Sequence, residues 1–149
     1  MRRFGIGVVW LAAVWLAVVT VAAQGVLKAE DLDKIMKRDG PAQQALVKAV
    51  IAGNPEAAKT QLQTLQAGIA ETQTFWVANK RTDAVEISKT VQKKLEGIGK
   101  LLAAPKLDSE ATLAAVQDLN RSCTECHKIY RATDDDGRYI LKPGSVPGV

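Results

Sequence analysis

Histidine is all but missing from this 149-residue chain: His127 is the single one. A mechanism that needs an acid–base pair has no second imidazole to use, and no such pair is visible elsewhere, so catalysis is not expected. Cysteine is nearly as scarce. Cys123 and Cys126 are the two present, and both lie beside the histidine. A zinc site would have two thiolates and one imidazole and would need a carboxylate as its fourth ligand. Past residue 24 glycine and proline are sparse, and no stretch alternates Val, Ile and aromatic residues with period two. Helices are expected, and strands are not.

A strong charge imbalance is missing too. The formal +4 includes Arg2 and Arg3, while no acidic residue precedes residue 24. Without residues 1–23 the formal charge is +2, before any cofactor carboxylates are counted. That is nearly neutral, so no nucleic-acid partner is implied, and the sequence pI of 9.1 overstates the basic character.

Residues 1–23 read as an export signal. Arg2 and Arg3 make a short positive region, an uncharged apolar run follows from Phe4 to Ala23, and Val21-Ala22-Ala23 offers small residues for cleavage after Ala23. The run approaches the ~20 residues that span a bilayer, so an uncleaved membrane anchor over residues 4–23 is the alternative. Arg2-Arg3 also suggests a twin-arginine signal, although the pair starts immediately after Met1. Each alternative puts the remainder outside the cytoplasm, in the periplasm.

Four helices are expected between residues 24 and 132. The first runs from about Ala29 to Ala52, with Leu32, Ile35, Met36, Ala42, Leu46, Ala49 and Val50 on one face. Asp39-Gly40-Pro41 interrupts it, as a kink or as a break between two helices in series. Asn54-Pro55 starts the second, with the stripe Ala58, Leu62, Leu65, Ile69, Thr72 and Trp76, and Lys80 and Arg81 close it. The third begins near Asp83 and carries Ala84, Ser88, Val91, Leu95, Ile98 and Leu102. Asp108 caps the fourth, whose stripe is Leu113, Val116, Asn120, Cys123, His127 and Tyr130. Steps of three and four put each set along one side of a helix. The links are short, so consecutive helices lie side by side in opposite directions. The fold expected is all-α, an antiparallel up-down-up-down four-helix bundle. Residues 133–149, with Asp134-Asp135-Asp136-Gly137, read as a polar C-terminal tail lying over the surface or moving freely.

Cys123-Thr124-Glu125-Cys126-His127 is the strongest chemical signal. Two cysteines three apart on a helix project to one side, where their sulfurs can bond the two vinyl groups of a porphyrin edge. The adjacent histidine then offers a ring nitrogen to iron. One covalent haem c follows, held by Cys123 and Cys126 with His127 as axial ligand. The alternatives are a redox dithiol, which normally sits where a strand feeds a helix, the zinc site above, and a structural disulfide.

The residues Cys123-Thr124-Glu125-Cys126-His127-Lys128-Ile129-Tyr130-Arg131 end the fourth helix, with an aromatic and an arginine three and four after the histidine. Together with Asp33-Lys34-Ile35-Met36-Lys37 and Gly40 in the first helix, they make residues 29–132 resemble the class II c-type cytochromes, cytochrome c-prime and its low-spin relatives. The resemblance implies that Met36 faces the open side of the haem. In low-spin members a methionine there is the second axial ligand and raises the reduction potential. Met36 as ordinary core filler is the alternative. With Met36 bound, the chain is expected to be an electron carrier serving redox partner proteins in the periplasm. Without it, iron is five-coordinate, and a gas-binding protein for nitric oxide or carbon monoxide is the alternative. The resemblance also implies a homodimer through the first two helices. Phe75, Trp76 and Tyr130 are expected to pack in the core or on the haem. Arg131 is expected beside a propionate or in solvent, and Lys34 and Lys37 on a charged helix face.

Overall fold

The protein is described from a computed structural model over residues 27–147. Residues 1–26 and 148–149 lie outside the described residues, and with them the export signal or anchor expected over residues 1–23. Among the described residues no helix is long and apolar enough to cross a membrane.

Four helices dominate: α1 (Ala29–Ile51), α2 (Pro55–Ala78), α3 (Thr82–Leu102) and α4 (Ser109–Tyr130). Their starts follow from local chemistry. The Lys28 backbone N–H donates to Asp31 Oδ2 at 3.0 Å in the first turn of α1. Asn54 Oδ1 accepts the Ala57 N–H at 3.0 Å, with Pro55 at the first helical position of α2. Asp108 Oδ1 accepts the Ala111 N–H at 2.9 Å at the head of α4. Each side chain satisfies a donor that the helix itself leaves free. α2 ends earlier than its basic residues suggest, at Ala78. Lys80 lies beyond it with φ of 57° in the left-handed region, where glycine is the usual occupant.

Helices adjacent in sequence pack together, and α1 also meets α4 in the smallest of the four contacts. The arrangement fits an all-α four-helix bundle. Its main apolar cluster joins Leu46 and Val50 of α1, Leu62 and Leu65 of α2, Leu95 and Ile98 of α3, and Val116 and Leu119 of α4. Each fully buried side chain of this size contributes about 1.5–3 kcal/mol. A second cluster gathers Leu32, Phe75, Trp76, Ala84, Tyr130 and Val146.

The third stripe is buried as the periodicity predicts, from Ala84 through Leu102. The fourth is not. Asn120 is exposed, and Thr112, Leu119 and Ser122 are buried instead. Threonine and serine bury cheaply on a helix by returning their hydroxyl to a carbonyl four residues back, as Thr112 Oγ1 does to Asp108 at 2.6 Å. Ser122 takes its bond from Lys94 Nζ at 2.8 Å.

Three further expectations meet the structure. Of the two readings at Pro41, two helices in series is set aside, because α1 is one continuous helix. Gly40 and Pro41 are exposed, so the carbonyl crowded by the proline ring lies on the solvent side, where it is able to tilt outward. Second, strands do occur: β1 (Arg131–Thr133) pairs antiparallel with β2 (Tyr139–Leu141), Arg131 opposite Leu141. Three residues are too few to show an alternating pattern. The turn is made by Asp134, whose Oδ1 accepts the N–H groups of Asp136 (3.1 Å) and Arg138 (2.8 Å), and by Gly137 at φ of 77°. Third, the polar tail contributes to the core: Val146 is buried in the second cluster.

Candidate functional site

The last turns of α4 carry Cys123, Cys126 and His127. Both cysteines are half-buried and unpaired, which sets the disulfide alternative aside in this structure. Cys123 packs against the main cluster, and Cys126 against the second. Burial pushes the Cys123 thiol up, and it pushes Cys126 up to about 11, with Cys123 and Asp83 adding to the effect. Both are neutral thiols at pH 7. A redox dithiol relies on a stabilised thiolate, and this environment does the opposite.

His127 is half-buried on the neighbouring flank of α4. It lines a cavity of about 240 Å³ with Thr124, Lys128, Arg131, Thr133 and Tyr139. Burial, and secondly the charge of Arg131, lower its pKa and leave a neutral imidazole with a free ring nitrogen. Among the described residues no three His, Cys, Asp or Glu side chains gather to hold a metal ion. Cys123, Cys126 and His127 thus do not converge on one point, as a zinc ion would require.

Met36 is half-buried on α1 and packs against the same cluster as Cys126. Helix packing thereby brings a thioether and one thiol of the α4 motif to one apolar body. Phe75 and Trp76 meet edge-to-face with centroids 4.9 Å apart, and Trp76 lies 4.5 Å from the Tyr130 ring. The Tyr130 hydroxyl donates to Asp83 Oδ2, and the Arg81 guanidinium lies over the Tyr130 ring at 5.0 Å.

The remaining sequence candidates fall into structural roles. Lys34 and Lys37 are exposed and pair with Asp31 (3.3 Å) and Asp33 (2.6 Å) on their own helix. Arg131 stacks over Tyr139 at 4.1 Å. Asp134 and Asp136 bind Arg138 across the hairpin turn.

Sequence reasoning missed Asp39. It is 6 % exposed, and its carboxylate sits against α2 at Gly68, where a Cβ would lie 1.9 Å from Oδ2. Arg38 Nε donates to Oδ1 at 3.0 Å, while Oδ2 has no partner. Burial raises the Asp39 pKa against the opposing pull of Arg38. Thr72 Oγ1 and Trp76 Nε1 on α2 are likewise buried without a partner. Unpartnered buried polar atoms are few in native folds, and each asks for an occupant.

No family model, no curated protein and no solved structure matches this chain.

Proposed function

We propose that this chain is an exported, periplasmic c-type cytochrome of the class II kind, an electron carrier with one covalent haem c. One observation carries it: Met36 of α1 and Cys126 of α4 pack on one apolar cluster, with Cys123 and His127 beside Cys126. An antiparallel up-down-up-down order is favoured by the short links, residues 52–54, 79–81 and 103–108.

Two thiols, one imidazole and one thioether are the donor set that the group calls for. Cys123 and Cys126 would hold it through their sulfurs, and the His127 imidazole and the Met36 thioether would hold its iron. The apolar cluster supplies a water-poor wall, and the unpartnered Thr72 Oγ1 and Trp76 Nε1 offer hydrogen bonds to a polar edge. When bound, haem iron supplies a one-electron ferric–ferrous couple. The chain's own contribution is to hold both ligands on rigid helices, so that little reorganises as the charge changes. Redox partner proteins in the periplasm are the proposed partners, and no catalytic role is assigned.

The visible spectrum of the purified protein tests this. A low-spin ferric spectrum with the red-edge sulfur-to-iron band is expected, and Met36→Ala should convert it to a high-spin, ligand-accessible form. A high-spin wild type would mean that Met36 does not ligate and would favour the gas-binding alternative. A low-spin spectrum unchanged in Met36→Ala would assign the sixth position to another residue.

A further inference from the structure

The end of the chain is unused by this reading. Beyond β2 the backbone turns at Gly144, with φ of 73°, and sends Val146 inward. Val146 is 5 % exposed, in the cluster against which Met36 and Cys126 pack, and Leu141 packs there too. Three bonds to backbone carbonyls fasten the segment. The Lys142 N–H donates to Tyr130 at 2.8 Å, Lys142 Nζ to Lys128 at 2.6 Å, and Arg81 Nη1 to Ser145 at 2.7 Å. On the other flank, Thr133 and Tyr139 wall the cavity of His127. One strap of chain runs from the side of His127 to the apolar body shared with Met36.

We infer that this strap controls ligand access: Val146, seated in the Met36 cluster, slows the approach of small external ligands to the iron, so that entry waits on opening of the strap as well as on release of Met36. The inference rests on the cytochrome reading above. Beyond the short β1–β2 ladder, the strap is held by one buried valine, a half-buried leucine and three hydrogen bonds. It is therefore a much smaller cooperative unit than any helix and opens more readily than the bundle unfolds. Ligand entry scales with the open fraction. Loss of two buried methyl groups raises that fraction by about tenfold.

The test uses full-length ferric holoprotein as wild type, Val146→Ala, Val146→Leu and Val146→Asp, with imidazole as the probe and binding followed in the visible spectrum. Covalent haem on each chain is verified by mass. The series is repeated with Met36→Ala, where release of the sulfur ligand no longer limits entry. In the Met36→Ala background imidazole should bind Val146→Ala about tenfold faster than the chain that keeps Val146. Val146→Asp should bind faster still, and Val146→Leu should match wild type. Equal rates across the series, with haem present on every chain, would overturn the strap. If Val146→Asp does not fold, the Ala and Leu pair decides. Absence of haem from the wild type removes the cytochrome reading, and the strap inference falls with it.

Discussion

Gly68→Ala puts a methyl group where the Asp39 carboxylate now lies. The new Cβ would stand 1.9 Å from Oδ2, 2.4 Å from Oδ1 and 2.5 Å from Cγ. Three atoms of a short side chain are involved, so rotation of its far end does not relieve the contact. Either α1 and α2 separate or Asp39 leaves its seat and its bond to Arg38. Overpacking of this kind costs about 1–3 kcal/mol, and the severity here points to the upper end. Alanine returns about 1 kcal/mol of helix propensity. The net expectation is a loss of about 2 kcal/mol. With Asp39→Ala already in place the cradle is empty, and Gly68→Ala should then stabilise by about 1 kcal/mol. The two sites are thus coupled by about 3 kcal/mol, well above the scatter of additive pairs. Guanidinium unfolding of the full-length proteins, followed by helical circular dichroism, measures all four corners of the cycle. A Gly68→Ala protein as stable as wild type, with Asp39 present, would refute the packing of Asp39 against α2.

Two further outcomes follow from single side chains. Asp83 is held down to about 2 from a usual 3.8, first by the Tyr130 hydroxyl and then by Arg81. A depressed native pKa stabilises the fold above pH 3.8, and that contribution is lost as pH falls toward 2. Tyr130→Phe should therefore move acid unfolding to higher pH. The change at pH 7 should be small, because Asp83 is exposed and screened by solvent; an unchanged acid midpoint by circular dichroism would contradict the Tyr130–Asp83 bond. Lys80→Gly relieves a left-handed residue whose side chain is exposed and should stabilise by about 1 kcal/mol in the same denaturation assay. A loss of stability would mean that the link between α2 and α3 adopts another conformation.

What was legible in the sequence was local. The caps at Asn54 and Asp108 and the α3 stripe depend on residues a turn or two apart, and the structure has them as the periodicity predicts. On α4, steps of three and four that pass through Asn120 put the motif residues Cys123 and His127 on the buried seam. Both are only half-buried, and the seam runs instead through Val116, Leu119 and Ser122. In the sequence Asp39 reads as part of a helix interruption. Its burial depends on Gly68, a residue on another helix whose missing side chain makes the room, and no pattern within α1 reveals that partnership. The same holds for the tail. Its composition is polar, but Gly144 and the bond from Arg81 to Ser145 turn one valine into the core. Within the candidate site, Cys123, Cys126 and His127 form a contiguous motif and are visible to inspection. The shared packing of Met36 and Cys126 is a tertiary fact. The family resemblance implies only that Met36 faces a haem, and no pattern in the sequence reveals that packing.

The central claim is a covalent bond between this polypeptide and an iron porphyrin, and intact mass spectrometry of the protein purified from an exporting host tests it directly. The chain should carry the added mass of one haem, and Cys123→Ala with Cys126→Ala should abolish it. A wild-type mass equal to that of the amino acids alone would contradict the account.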